Sequence, residues 1–161
     1  MKALFPGTFD PITKGHLDLI RRAASLFEEV HVVMMLNHEK KALLDVSVRL
    51  TLMEESLRPI SNIVLDVYEG LSVQYAKDHD IPIMIRGVRS VTDYEYECQI
   101  ASVNQLLEPE IETMFLLSKP EYASVSSSNA KAVAIQKGDL SSFVDPHVAL
   151  VLYDAYDMQK R

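Results

Sequence analysis

The stretch Gly7-Thr8-Phe9-Asp10-Pro11-Ile12-Thr13-Lys14-Gly15-His16 brings together two glycines, two threonine hydroxyls and a histidine. At the start of a helix, such a set suits phosphate chemistry. The free N–H groups and positive partial charge of a helix N-terminus attract anions, and glycine lets the backbone approach phosphoryl oxygens. An imidazole there can donate a ring N–H to an oxygen that gains charge during reaction. The plainer alternative is that Thr13 caps the helix and His16 is an exposed first-turn residue. Three other segments are of the same kind. Asn37-His38-Glu39-Lys40-Lys41 sets two lysines beyond an apolar run, either as point charges for a phosphate or as a solvated turn. Arg86-Gly87-Val88-Arg89 offers two guanidiniums whose planar donor forks match phosphate. Its structural alternative is pairing with Asp93, Glu95 and Glu97. Ser124-Val125-Ser126-Ser127-Ser128 gathers hydroxyls and amides before another helix, as an anion cradle or as a simple cap.

Other chemistries find less support. Neither Gly-x-x-x-x-Gly-Lys-Ser/Thr nor Gly-x-Gly-x-x-Gly occurs, so P-loop hydrolysis and nicotinamide redox chemistry lose their usual sequence signals. His31, His38, His79 and His147 show no mutual spacing for a metal. Cys98 is the single cysteine, which excludes an intrachain disulfide and any multi-cysteine metal site. No arrangement points to a serine or cysteine nucleophile.

The elements that must position these segments follow from the hydrophobic periodicity. A short strand is expected over Lys2 to Phe5, stopped by Pro6-Gly7. From His16, Leu17, Ile20, Ala24 and Phe27 recur at helical steps. Val30 to Leu36 is an unbroken apolar run suited to a parallel strand covered on both faces. Asp45 is the expected N-cap of a helix to about Leu57. The alternation continues with strand Ile63 to Val67, helix Leu71 to His79, strand Ile81 to Ile85, helix Thr92 to Leu107 and strand Thr113 to Leu117. A helix from Ser127 to Gln136 is expected to close with Gly138 in the left-handed position, and Pro146 to open the last helix. Five strands separated by helices predict a single α/β domain over residues 1–161, a Rossmann-like open parallel five-stranded sheet with helices on both faces. Ligands in such sheets bind at the carboxyl ends of the strands, where the winding reverses.

Composition bounds the partners. Of 161 residues, 48% are hydrophobic and 24% charged, the balance of a folded globular chain. Sixteen lysines and arginines against 23 aspartates and glutamates give a formal charge of −7, which argues against a nucleic-acid or anionic-membrane surface. No secretory signal and no apolar run near the roughly 20 residues of a membrane span are seen. A reducing, cytoplasmic setting is the expectation.

In these loops the sequence strongly resembles the bacterial phosphopantetheine adenylyltransferases of the nucleotidyltransferase superfamily, over essentially the whole chain. The carriers are Pro6-Gly7-Thr8-Phe9-Asp10-Pro11 with Thr13-Lys14-Gly15-His16, matching the family's Thr/His-x-Gly-His signature. Ile85-Arg86-Gly87-Val88-Arg89 with Asp93-Tyr94-Glu95-Tyr96-Glu97 forms the second carrier, and Val125-Ser126-Ser127-Ser128 with Lys131 the third. The resemblance implies transfer of the adenylyl group of ATP to 4′-phosphopantetheine, giving dephospho-coenzyme A and pyrophosphate by direct in-line attack. His16 would stabilise the transition state, with Lys40 and Arg89 as further catalytic groups. Thr8, Lys40, Ser72, Arg86 and Asn104 would bind phosphopantetheine. Thr8, Phe9, His16, Gly87, Val88, Arg89, Glu97 and the run Tyr122, Ala123, Ser124, Val125, Ser126, Ser127 and Ser128 would bind ATP. Mg2+ would be held mainly by ATP phosphates, with no protein metal ligands. A homohexamer and feedback by coenzyme A are also implied. The chain departs from the family at Ser72, where a larger apolar residue is common, and at Ser128 and Lys131, where threonine and arginine are usual. The usual proline near the second-loop lysines is missing from residues 37–41.

The chemistry makes sense of that set. A phosphate monoester is largely dianionic near neutrality, so no general base is needed to make the nucleophile. The obstacle is bringing two polyanions into line, which calls for positioning and cationic donors. Rival readings are a transferase of the same superfamily acting on nicotinamide mononucleotide or a phosphorylated alcohol, a nucleotide-binding regulatory module, and a purely structural protein.

Overall fold

A computed structural model of the chain describes residues 1–37, 39 and 41–159, the last two of these by their backbone only. The strands are β1 (Lys2–Gly7), β2 (Glu29–Leu36), β3 (Ile63–Glu69), β4 (Ile83–Val88) and β5 (Glu112–Leu117). The helices are α1 (Lys14–Leu26), α2 (Val46–Leu57), α3 (Ser72–Asp78), α4 (Val91–Leu107), α5 (Ser127–Ile135) and α6 (Pro146–Gln159), with a 3-10 turn at Pro120–Tyr122. All strand pairs are parallel, in the order β3-β2-β1-β4-β5. The expected open five-stranded sheet is therefore present, with its winding reversed between β1 and β4.

Alternate side chains of each strand serve opposite faces. On one face Ala3, Phe5, Val30, Val32, Met34 and Ile85 join apolar residues of α1, α2, α5 and α6. On the other, Leu4, Val33 and Met84 meet Val73, Tyr75 and Ala76 of α3. Met53 and Ile20 are fully enclosed in the larger core, so truncation of either to alanine would cost about 2–5 kcal/mol. The C-terminal carbonyls of α1, which lack a glycine cap, are served by Asn62 Nδ2, which donates to Ala24 and Phe27 carbonyls at 2.9 Å each.

Several element ends differ from the sequence expectation, β3 for instance running on to Glu69 rather than ending at Val67, and three of the departures have a plain physical reason. First, β1 runs on through Pro6 to Gly7 rather than stopping at Phe5. Its ladder with β4 holds only the pairs Ala3–Ile83 and Leu4–Met84, whereas its ladder with β2 continues to Gly7. Pro6, with no N–H to give, sits where β1 has already parted from β4. Second, β4 begins at Ile83 and includes Arg86, Gly87 and Val88. The Ile81 N–H is taken by the Ala76 carbonyl at 2.8 Å, closing α3, and Pro82 cannot donate. Third, the left-handed residue after α5 is Lys137 (φ 55°), not Gly138. Gly138 N–H instead reaches the Val133 carbonyl at 3.0 Å and Lys137 N–H the Ala134 carbonyl at 2.9 Å, a Schellman closure. A side chain at Gly138 would lie 2.8 Å from Val133 Cγ1, so glycine is needed there for closeness.

Candidate active site

Where β1 and β4 separate, a cleft of about 290 Å³ opens at the carboxyl ends of the strands. Its walls include Thr8, Phe9, Gly15, His16, Arg86, Arg89 and Ser126–Ser128. Three of the four segments singled out above thus converge on one crevice. The fourth cannot be placed, because Lys40 and His38 lie outside the described residues.

His16 is the third residue of α1, and Thr13 is its N-cap. Thr13 Oγ1 accepts the His16 N–H at 3.3 Å, while the Thr13 N–H donates to His16 Nδ1 at 3.1 Å. Cap and histidine satisfy one another: Thr13 caps the helix, as the plainer alternative has it, but His16 is not the exposed residue of that alternative and lines the cleft. Because Nδ1 accepts, the neutral ring carries its proton on Nε2. Burial, and then the charges of Arg89 and Arg86, push the imidazole down from 6.5 to about 4. Histidine is consequently a neutral N–H donor at physiological pH. The Phe9 ring lies edge-on to it at 5.1 Å, and Phe9 itself holds a left-handed backbone (φ 50°). Gly15 brings α1 against the serine segment: a Cβ there would stand 2.9 Å from the Val125 carbonyl oxygen.

The serine segment is organised by its own helix. Ser126 caps α5, its hydroxyl accepting the Asn129 N–H at 3.0 Å. Ser127 Oγ donates to the Pro11 carbonyl at 2.7 Å, tying this helix start to the first loop. Hydroxyls and free amides thus line the cleft beside His16, as an anion cradle requires.

Across the cleft the arginines are already paired. Glu97 receives Arg86 Nε at 2.7 Å and Nη2 at 2.8 Å, a bidentate fork, and the Pro6 carbonyl accepts Nη1 at 3.2 Å. Three of the five guanidinium N–H groups are used, leaving one on each terminal nitrogen. Arg89 Nε stands 3.8 Å from Asp93 Oδ2, which also accepts the Arg89 N–H at 3.0 Å. Pairing with the acidic cluster is therefore realised by Glu97 and Asp93, without removing the arginines from the cleft wall.

The cytidylyltransferase-like family model matches residues 4–133, which include every segment just described. Along its full length the chain is 45% identical to the phosphopantetheine adenylyltransferase of Thermotoga neapolitana, covering all of both proteins. It is 43% identical to that of Alkaliphilus metalliredigens, over 91% of this chain and 93% of the relative. The chain belongs to the phosphopantetheine adenylyltransferases. Among solved structures, a Plasmodium falciparum nicotinic acid mononucleotide adenylyltransferase shares the fold at a TM-score of 0.71 and 15% identity, over 99% of this chain and 98% of that one. A putative nicotinate-nucleotide adenylyltransferase from Vibrio parahaemolyticus does so at 0.65 and 16%, over 94% and 97%.

The remaining residues implied for a phosphopantetheine adenylyltransferase fall into two groups. Ser72 Oγ and Asn104 Nδ2 both approach the Met84 sulfur, at 3.7 and 3.6 Å. They do not line the cleft. By strand alternation Arg86 leaves β4 on the same face as Met84, so Ser72, Asn104 and Arg86 share the α3–α4 side of the sheet. His16 and the serine segment occupy the other side, with α1 and α5. Val88, Tyr122, Ala123 and Ser124 are not among the lining residues; Val88 and Ser124 are next to them in the chain, and the Tyr122 carbonyl accepts the Val125 N–H at 3.0 Å.

Among the buried charged residues, Asp10 and Arg49 are 4% and 5% exposed; the sequence marks Asp10 only as a member of the first signature and gives Arg49 no functional reading. A signal for Arg49 existed, since it falls on the same helical stripe as Val46 and Met53, where an apolar residue is expected.

Proposed function

We propose that the chain catalyses the transfer named by its relatives: an oxygen of the 4′-phosphopantetheine phosphate attacks the α-phosphorus of ATP in line, the bond to the β-phosphate breaks, and pyrophosphate leaves. The observation that carries this is the division of donors across the parted β1 and β4. The His16 Nε2–H and the Ser126–Ser128 helix end stand on one side, Arg86 with its two free N–H groups on the other. One site thereby offers two anion-holding sets facing a common gap, as a two-anion reaction needs and a simple nucleotide-binding module does not.

In this reading ATP lies along Thr8, Phe9, Gly87 to Arg89, Glu97 and Tyr122 to Ser128, with its α-phosphate at His16. The neutral imidazole donates to the oxygen that gains charge, with no proton removed from it. Phosphopantetheine places its phosphate at Arg86 and Lys40 and its arm toward Ser72 and Asn104. The donor set suits phosphate oxygens, and the cleft carboxylates Asp93 and Glu97 are committed to arginine. The residues therefore fit a Mg2+ carried by the triphosphate and water, where it would neutralise charge on the leaving pyrophosphate.

A homohexamer is part of the same proposal. It is supported by the apolar residues that α4 and β5 leave uncovered, including Leu106 at 83% and Leu117 at 68% exposure. Coenzyme A, which contains the product, is proposed as a feedback ligand of the cleft. No described helix is long and apolar enough to cross a membrane, and cytoplasmic residence is proposed with the activity. The deciding measurement is pyrophosphate release with ATP, Mg2+ and a panel of acceptors. Turnover with 4′-phosphopantetheine and none with nicotinate mononucleotide supports the reading. Turnover confined to another phosphorylated acceptor, or no turnover with any, overturns it.

A further inference from the structure

Asp10 and Arg49 are nearly sealed from solvent, yet neither lines the cleft. A buried carboxylate or guanidinium is costly unless hydrogen bonds replace its water. Here backbone groups and one lysine replace it. Asp10 Oδ2 and Oδ1 accept the Leu43 and Leu44 N–H groups at 2.8 and 3.0 Å, and Lys131 Nζ of α5 donates to Oδ2 at 3.0 Å. Arg49 Nη1 donates to the Thr8 carbonyl at 2.9 Å and Nε to the Leu44 carbonyl at 3.0 Å. Leu44 is thus gripped twice, by its N–H from Asp10 and by its carbonyl from Arg49.

These bonds join two particular stretches of backbone. Thr8 and Asp10 flank Phe9 in the loop that leads into the His16 helix. Leu43 and Leu44 end the segment after β2, and Leu43 follows Lys40 by three residues in sequence. A pair that merely filled the core would have no reason to bridge the two loops that carry opposite halves of the proposed site.

We propose that Asp10 and Arg49 are positioning residues for the adenylyl transfer, clamping the loop after β1 to the segment after β2 and so fixing the gap between nucleotide and acceptor phosphate. The inference rests on the activity proposed above. In-line attack is intolerant of a change in that gap, and a misplacement of about 1 Å can cost roughly 100-fold in rate. The clamp should therefore act on the step that needs both substrates and leave ATP alone bound as before.

The test uses the full chain as Asp10→Asn, Arg49→Lys and Arg49→Met, with steady-state kinetics, calorimetric binding of ATP alone, and amide hydrogen exchange. Expected are a fall in kcat of about 10- to 100-fold with a raised KM for phosphopantetheine and an unchanged ATP dissociation constant. Arg49→Lys, which keeps the charge but not the fork, should fall between the wild type and Arg49→Met. Leu43 and Leu44 amides, protected in the wild type, should exchange faster in Asp10→Asn. Unchanged kcat and acceptor KM in a folded Arg49→Met, or ATP affinity lost in step with activity, would overturn the proposal. Should Arg49→Met fail to fold, wild-type behaviour of both Arg49→Lys and Asp10→Asn overturns it equally. A wild type that releases no pyrophosphate defeats the activity reading itself. Exchange at Leu43 and Leu44 then still judges the clamp: it is rejected if Asp10→Asn leaves those amides protected.

Discussion

At the residue scale the centre of interest is one imidazole whose protonation is settled by its neighbours. Replacing it removes the donor at the α-phosphate, and loss of a preorganised donor lowers turnover by about 100- to 1000-fold. His16→Ala should show that drop in pyrophosphate release while keeping its circular dichroism spectrum. The same ring sets a pH signature. Its affinity for a proton is lowered on folding, from 6.5 to about 4, so the unfolded chain takes up a proton first as pH falls. The stability it contributes is complete above 6.5 and drains away between 6.5 and about 4. Thermal melts across that range should show a falling midpoint that flattens in His16→Gln. Activity should behave differently: with histidine already neutral, the acid limb of kcat/KM should follow the acceptor phosphate, whose second ionisation lies near about pH 6. The residue types at this site were legible in sequence, since a histidine after Thr-x-Gly advertises itself. Their pairing was legible only as an alternative, with Asp93, Glu95 and Glu97 as the partners on offer. Nothing in the order of letters distinguishes an arginine waiting for phosphate from one already forked onto Glu97.

At the scale of elements, close approach between helix starts holds the nucleotide side together. Gly15 lets the first turn of α1 lie against the Val125 carbonyl, 2.9 Å from where a Cβ would be. Backbone cannot swing aside as a side chain does, and overpacking of this kind costs about 1–3 kcal/mol. Gly15→Ala is expected to lower the melting temperature and to raise the KM for ATP more than that for phosphopantetheine, because it displaces the serine segment. Element order and type were readable from period alone, since buried parallel strands and amphipathic helices alternate cleanly. Element ends were not. Whether Pro6 stops β1 depends on which neighbour that stretch still pairs with, and whether Gly138 or Lys137 turns left-handed depends on how near Val133 comes. Both are facts of tertiary packing.

For the molecule as a whole, one flank is finished differently from the rest. Within this chain α4 buries only Glu97 and Asn104, while Val91, Val103 and Leu106 are 76%, 55% and 83% exposed. A cluster of this kind on a surface is what association between chains covers. Val103→Glu with Leu106→Glu should reduce the particle mass in sedimentation velocity from that of the proposed hexamer to fewer chains, with the secondary structure of each chain preserved. An unchanged mass would remove this flank from the interface. The sequence shows these residues as apolar members of a helix; only their placement reveals that they face outward.

The brevity of the β1–β4 ladder, confined to Ala3–Ile83 and Leu4–Met84, has a mechanical side. Past those rungs β1 and β4 share no ladder pair, and the Arg86 Nη1 bond to the Pro6 carbonyl is a side-chain link across the parting, so a change in the width of the mouth strains that contact without breaking any pairing between strands. Breathing of the mouth is thus separated from unfolding, and the strand end of the sheet serves as a flexure whose stiffness resides in its root.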